Sequence, residues 1–400
     1  MKHIKSFILL SVLILACSPA RGQQALWDRP QVVSPQIEEG GRVTIRIAAP
    51  EAENVSVTGD FVAPQQLQIA GRHVTIPGNL PLTKGADGVW SATVDSLAPE
   101  LYSYNIIVDG VKITDPANVY ALRDISSVTN YFIVPGGNAS NYAVRNVPHG
   151  SVAKVWYHSD TIGADRRLSV YTPAGYETMP QRRYPVLYLL HGMGGDENAW
   201  TELGRAAQIL DNMIAAGEVE PMIVVMTNGN VDTPAAPGES HLGMTVPTIN
   251  LLHTMDGTFE SHFPEVVAFV DSTYRTIPDK EHRGIAGLSM GGFHSMQISK
   301  EYPAMFDYVG LFSAAVMPRE GVVSPVYTDI EAKLALQFAD APALYWIAIG
   351  RDDFLYGANT EYRARLDAKG YPYVYVESDG GHTWRNWRVY LTEFLPLLFK

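Results

Sequence analysis

The sequence predicts an antiparallel β-sandwich followed by a three-layer α/β/α domain built on a mostly parallel sheet. Three observations carry that expectation. Short segments of alternating apolar residues, separated by Gly, Pro and Asp, fill residues 28 to about 135 without helical periodicity between them. Beyond residue 150, apolar runs of the buried-strand type alternate with helical patterns, the mark of a sheet covered on both faces. One of those runs ends at Gly287-Leu-Ser-Met-Gly291, where small residues surround a serine at a strand-to-helix junction.

The chain has 400 residues, 46% of them apolar, which is enough for two cores. A net charge of −12 argues against nucleic acid or an anionic membrane as the main partner. Residues 1–22 read as an export signal. Lys2 and Lys5 form a basic start, Phe7 to Ala16 an apolar stretch too short to span a bilayer comfortably, and small residues follow up to Gly22. Cleavage there would leave Gln23 first, in a periplasmic or secreted protein. The run Ile14-Leu-Ala-Cys17 also resembles the bacterial lipobox, whose cysteine carries the lipid, although Leu15 is bulky for its position. Release and a lipid anchor through Cys17 both stay open. Cys17 is the only cysteine, so no intramolecular disulfide can form.

The sandwich is expected over residues 23–135. Arg42 to Ala48 alternates cleanly, and Val55 to Gly59, Val89 to Val94, Tyr102 to Val108 and Tyr131 to Val134 add further strands, with Asp109-Gly110 as a tight turn. Pro135-Gly-Gly-Asn-Ala-Ser-Asn141 changes composition and opens a linker over 136–149. The α/β domain then occupies 150–400. Strands are expected at Leu168 to Thr172, Tyr184 to Leu190, Met222 to Thr227, just before Ser289, and at Tyr308 to Ser313, Leu344 to Ile349 and Tyr373 to Glu377. Helices are expected at Ala199 to Ala216, Phe263 to Tyr274, after Ser289, and at Thr360 to Lys369.

A serine nucleophile needs a base, an acid to orient that base and donors for the developing oxyanion. The strand Leu344 to Ile349 runs into Arg351-Asp-Asp353, and the last strand runs into Ser378-Asp-Gly-Gly-His382. The order Ser289, Asp353, His382 is that of α/β-hydrolases, whose strand-end loops gather distant residues at one sheet edge. His382 stands out because two glycines precede it and a helical stretch follows; taken alone it would read as a surface or helix-capping residue. Asp352 competes with Asp353 for the acid role, and Asp379 is better suited to a turn. Leu189-Leu-His-Gly-Met-Gly-Gly195 follows another buried strand, so the N–H groups of Met193 and Met290 can form an oxyanion hole, with His191 shaping the loop. An ordinary glycine-rich turn is the plainer reading of that run.

His191, Asp196 and Glu197 have the atom types of metal ligands but no recognised zinc spacing, and neither a dinucleotide fingerprint nor a Walker A motif is present. No metal and no cofactor are expected.

Leu190-His-Gly-Met-Gly-Gly195, Gly287-Leu-Ser-Met-Gly-Gly292, Gly350-Arg-Asp-Asp-Phe-Leu355 and Gly380-Gly-His-Thr-Trp384 resemble the carbohydrate esterase family that contains feruloyl and acetyl xylan esterases. The resemblance covers about residues 150–400. It implies Ser289 as nucleophile, Asp353 as acid, His382 as base and Met193 and Met290 as oxyanion donors. Arg42 to Pro50, Val55 to Asp60, Gly88-Val-Trp90 and Tyr102 to Asn105 are similar to the immunoglobulin-like, glycogen-branching-type carbohydrate-binding modules attached to some of these esterases. Trp90 and Tyr104 fit a core at least as well as a sugar platform.

The implied reaction is hydrolysis of feruloyl or related hydroxycinnamoyl esters on plant xylan. Acetyl xylan is the alternative substrate, and a non-catalytic surface glycan-binding protein the alternative class. The expected partner is thus a feruloylated or acetylated plant polysaccharide or oligosaccharide. The stretch Gly229 to Phe263 is long enough to shape an acyl pocket, and Trp384 is a candidate substrate contact. Trp200 reads as packing.

Overall fold

The computed structural model describes residues 32–69, 72–76, 78–249, 253–318 and 321–400. The expected export signal and Cys17 lie outside the described residues.

The first unit is antiparallel throughout. One sheet joins Gln36–Ile37, Val43–Ala48, Val89–Val94 and Thr83–Lys84; the other joins Ala121–Asp124, Ser127–Ile133, Leu101–Val108, Val55–Gly59 and Asn79–Pro81. Val43, Ile45, Ile47, Val57, Tyr104 and Ile106 are among the buried side chains between these sheets, as expected for two pleated sheets packed face to face. Trp90 and Tyr104 are 8% and 1% exposed, so both belong to this core. The Asp109-Gly110 turn connects Leu101–Val108 to Val111–Ile113 with a Val108–Val111 pair and φ of 48° and 85°. Both left-handed residues are what a tight two-residue hairpin requires.

The second unit carries an eight-stranded sheet of β1 (Ser151–Ser159), β2 (Ala164–Thr172), β3 (Val186–Leu190), β4 (Ile223–Thr227), β5 (Arg283–Leu288), β6 (Tyr308–Phe312), β7 (Leu344–Gly350) and β8 (Val374–Ser378). The order is β1-β2-β4-β3-β5-β6-β7-β8. Pairing is antiparallel from β1 to β4 and parallel from β3 onward. This is the α/β-hydrolase sheet. Successive residues of β3 serve opposite layers: Val186, Tyr188 and Leu190 pack with α2 (Thr258–Thr273), α3 (Met290–Glu301), α4 (Ile330–Ala339) and α5 (Tyr356–Lys369). Leu187 and Leu189 pack with α1 (Ala206–Ala215) and α6 (Trp384–Phe394). A strand covered on both faces reads as a continuous apolar run, which is why the central strands were visible in the sequence.

Three local expectations change. The helix expected over Ala199 to Ala216 is two pieces, Ala199–Glu202 and α1, because Arg205 takes φ 54° and a Cβ on Gly204 would lie 2.5 Å from the Trp200 ring. Strand β1 and helix α4 had not been expected; β1 is an edge strand exposed at most of its positions, so it lacks the alternation that marks a strand. The 136–149 stretch is a packed connection rather than a loose one. Ala139 and Tyr142 are buried, and Asn212 Nδ2 donates to the carbonyls of Asn141 and Ala143 at 2.8 and 2.9 Å.

The two units share a core. Leu101 and Leu122 of the sandwich pack in the same apolar cluster as Trp387 and Leu391 of α6. Within it, Glu100 accepts hydrogen bonds from Tyr142 Oη at 2.6 Å and Arg388 Nη2 at 3.3 Å. Among the described residues no helix is long and apolar enough to cross a membrane.

Candidate active site

Ser289 sits between β5 and α3 at φ 53°, ψ −115°, a conformation rarely tolerated outside glycine. The surrounding glycines explain how the turn closes. A Cβ on Gly287 would lie 2.5 Å from the Gly291 backbone, and one on Gly291 would lie 2.4 Å from the Leu190 carbonyl oxygen. The turn is anchored by Ser289 N–H to Phe312 O at 2.9 Å, and Ser289 O accepts from Phe293 and Ala315 at 3.0 Å each. The result is a half-buried hydroxyl above the carboxyl ends of the strands.

His382 and Asp353 meet it there. His382 Nε2 is 2.9 Å from Ser289 Oγ. On the opposite side of the ring, Nδ1 lies 2.9 and 3.1 Å from the two Asp353 oxygens. Asp353 is buried and its Oδ1 also accepts the Leu355 N–H at 2.9 Å. The loops after β7 and β8 approach so closely that a Cβ on Gly350 would sit 2.1 Å from Gly380 O. Asp352 is exposed; its N–H donates to Gly380 O at 3.0 Å. Asp379 pairs with Arg351 at 2.6 Å on the surface. The imidazole is held between Phe354, centroid 4.6 Å away, and the edge of Trp387 at 4.9 Å.

The loop after β3 runs past the serine: a Cβ on Gly192 would lie 3.3 Å from Ser289 Cβ. His191 is 2% exposed and uses both ring nitrogens, Nδ1 toward Gly192 O at 2.7 Å and Nε2 accepting the Gly229 N–H at 2.8 Å. That second bond requires the neutral tautomer with its proton on Nδ1. Burial pushes the His191 pKa down to about 4, so the ring stays neutral. Asp196 pairs with Arg123, and Glu197 with Arg167 Nε at 2.6 Å. The three side chains with metal-ligand atoms are therefore engaged with protein partners.

A cleft of about 550 Å³ opens over Ser289 and His382. Its walls are largely apolar and include Met193, Ile249, Met255, Phe354, Trp384 and Trp387. Trp384 thus faces the cleft, while Trp200 lies buried behind it, their rings 5.3 Å apart, with its Nε1 donating to Leu190 O. Ile249 and Met255 come from the long Gly229 to Phe263 stretch. Sequence reasoning missed Phe354 and Leu355, although both sit beside the acidic pair. It also missed Arg123, Asp124 and Ile125, which reach the cleft from the sandwich. A hairpin without Gly or Asn at its tip left no turn signal for them.

A family model described as "Putative esterase" matches residues 159–398. Over 382 residues, 93% of this chain, the sequence is 29% identical to an endo-1,4-β-xylanase/feruloyl esterase of Xylanibacter ruminicola, of whose length this chain spans 47%. It is 28% identical over 248 residues to an acetyl esterase of Caldicellulosiruptor saccharolyticus, covering 54% of this chain and 83% of that protein. A ferulic acid esterase structure from Anaeromyces mucronatus aligns with a TM-score of 0.55 at 22% identity, covering 65% of this chain and 95% of the other. The enterobactin esterase of Shigella flexneri aligns with a TM-score of 0.60 at 16% identity, covering 94% of this chain and 98% of the other. At such identities the two structures speak for the fold alone, the second across both units. The family model spans more than half of the chain and falls on the sheet that carries Ser289, Asp353 and His382, so this protein belongs to the esterase family of serine hydrolases.

Proposed function

We propose that the protein is an exported serine esterase that releases ferulate or related hydroxycinnamates from plant xylan through an acyl-enzyme. The observation that carries this reading is the hydrogen-bonded chain Ser289–His382–Asp353 opening onto a broad apolar cleft. An Asp353 carboxylate is acceptor-only, so it holds the imidazole proton on Nδ1 and leaves the Nε2 lone pair for the serine hydroxyl. Ser289 Oγ attacks the ester carbonyl carbon as His382 takes its proton. The N–H groups of Met193 and Met290 receive the developing oxyanion. Collapse breaks the bond to the sugar oxygen, which leaves with the proton held by His382. Water then attacks the acyl-enzyme with His382 again as base, releasing the acid and restoring Ser289.

The cleft favours an aromatic acyl group. About 550 Å³ walled by aromatic, Met and Ile side chains exceeds what an acetyl group fills and lies within the roughly 300–1,000 Å³ of small-molecule sites. The feruloyl esterase named in the relative that matches nearly the whole chain points the same way, and the named acetyl esterase keeps acetyl xylan as the competing substrate. We assign residues 23–135 to a sandwich unit and 150–400 to the catalytic unit. Export rests on the first 22 residues.

Side-by-side hydrolysis of methyl ferulate and acetylated xylan by the mature protein separates the substrates. Turnover of methyl ferulate is expected to dominate; activity confined to acetyl esters would replace the acyl group but keep the mechanism. A folded protein that hydrolyses neither and takes no fluorophosphonate at Ser289 would instead be a non-catalytic glycan binder.

A further inference from the structure

The tip of one sandwich hairpin touches the loop that passes the nucleophile. Asp124 pairs with Ser127 across this hairpin, so Ile125 and Ser126 alone form its turn. Ile125 takes φ 52°. A two-residue hairpin normally places Asn, Asp or Gly there, and a β-branched side chain in the left-handed region is strained. Such strain persists where the surroundings impose it, and it clusters at functional sites.

The surroundings here are Gly194. A Cβ built on Gly194 would lie 2.6 Å from Ile125 Cγ1 and 3.2 Å from Ile249 Cγ2, so the two isoleucines clasp its backbone. Gly194 has φ 79° and immediately follows Met193. Arg123 fastens the same contact. Its Nη1 donates to Ile125 O at 3.0 Å, and its Nη2 pairs with the buried Asp196 just beyond the loop. Asp196 Oδ1 in turn accepts the Asn198 N–H at 2.9 Å. Leu122, next to Arg123, is buried in the core shared with α6, so the hairpin arm is fixed rather than free-standing. From the catalytic side Ile249, His191 and Asn230 hold the loop, the last donating to Gly195 O at 2.6 Å.

We propose that Arg123 and Ile125 are positioning residues for the reaction: the sandwich sets the backbone of Gly192 to Gly195 and thereby aims the Met193 N–H at the oxyanion. This rests on the serine esterase reading given above. Neither residue exchanges a proton or an electron with substrate. Their effect passes through one donor, so it is greatest where charge develops on the carbonyl oxygen. It also assigns the strained turn a reason, since an unstrained Gly or Asn would lack the side chain that clasps Gly194.

The test measures kcat and KM separately for p-nitrophenyl acetate, whose small acyl group makes little use of the outer cleft, on the full mature chain. Ile125→Gly removes the contact and relieves the strained turn together. It is expected to lower kcat about tenfold or more, a fraction of the 10²–10³ that loss of a whole oxyanion donor costs. KM should move less than threefold, and the thermal midpoint should hold or rise. Arg123→Ala should lower kcat in the same sense, and Ile125→Val, which keeps a Cγ against Gly194, should restore most of it. Values of kcat within twofold of the parent in both Ile125→Gly and Arg123→Ala would overturn the proposal. So would a kcat loss that simply tracks a lowered midpoint. Ser289→Ala, run in parallel, keeps the two ideas distinct: turnover surviving in that variant removes the catalytic reading itself. An inactive Ser289→Ala beside fully active hairpin variants removes only the role of the hairpin.

Discussion

The turn around Ser289 and the cleft wall facing it are built in opposite ways. The turn is contiguous: Gly287, Ser289 and Gly291 lie within five residues, and their close approaches are to one another and to the adjacent strand β3. The wall is assembled from Ile125, Met193, Ile249, Phe354 and Trp384, spread over some 260 positions of sequence and both units. Local sterics fix where the Ser289 hydroxyl points. Long-range packing fixes what it meets. Chemistry and specificity therefore answer to different kinds of substitution.

The largest effect is expected at the contiguous side. Ser289→Ala removes one half-buried oxygen and should lower kcat by roughly 10⁴ or more while leaving the far-ultraviolet circular dichroism unchanged. Activity near the parent value would identify another nucleophile and dissolve the comparison. Next comes Asp353, the proposed acid. Asp353→Asn keeps the shape but makes the partner of His382 an amide, which favours the wrong imidazole tautomer; kcat should fall by about 10³–10⁴. Asp352→Asn, on an exposed residue whose N–H rather than side chain meets the His382 loop, should stay within a few-fold. A reversed pair of results in steady-state assays would move the acid role to Asp352.

These residues were legible for a physical reason. Parallel strands end in loops at one sheet edge, so the buried apolar runs of β3, β5 and β7, each followed by Gly and polar residues, announce a site there, and the glycines after the half-exposed edge strand β8 add His382. The choice of Asp353 over Asp352 was not in the residues, since both follow the same strand; a resemblance made it, and the 2.9 Å contact to His382 now separates them geometrically. The break at Gly204-Arg205 was hidden because the residues on both sides keep a helical pattern, and it takes close approach to Trp200 to explain it. The hairpin ending at Ile125 was hidden for a more instructive reason. Turn chemistry is readable when a turn is free to choose its residues, and this one carries a side chain suited to Gly194 instead.

Gly291→Ala tests how tightly the contiguous side is built. The added methyl would meet the backbone oxygens of Leu190 and His191 at 2.4 and 2.5 Å, and backbone on a central strand has little room to yield. Overpacking of this kind costs roughly 1–3 kcal/mol and displaces β3 against α3. A lowered denaturant midpoint with strongly reduced turnover is expected. Unaltered stability would mean that the turn relaxes more readily than its close approaches imply.

The smallest effect concerns how the catalytic unit holds its own side of the loop after β3, and it appears only in acid. His191 titrates near 4 when folded because burial disfavours its charged form, against about 6.5 when exposed. Between those values the unfolded chain binds the extra proton and the folded chain does not. Stability from this residue is therefore complete above about pH 6.5 and is lost as pH falls toward 4. His262, buried in the same unit, is also pushed down to about 4 and acts with the same sign, whereas Asp60, pushed up to about 6 chiefly by burial, acts with the opposite sign, so the difference between parent and variant slopes isolates His191. His191→Gln offers a donor and an acceptor that do not titrate. Unfolding free energy measured from pH 4 to 6.5 should then lose up to about 1.4 kcal/mol per pH unit of slope, one proton's share. An unchanged slope would mean that water reaches His191 in the folded state. His191 would then hold its loop without a pH-dependent share, and Ile125, Arg123, Ile249 and Asn230 would carry the same packing at every pH.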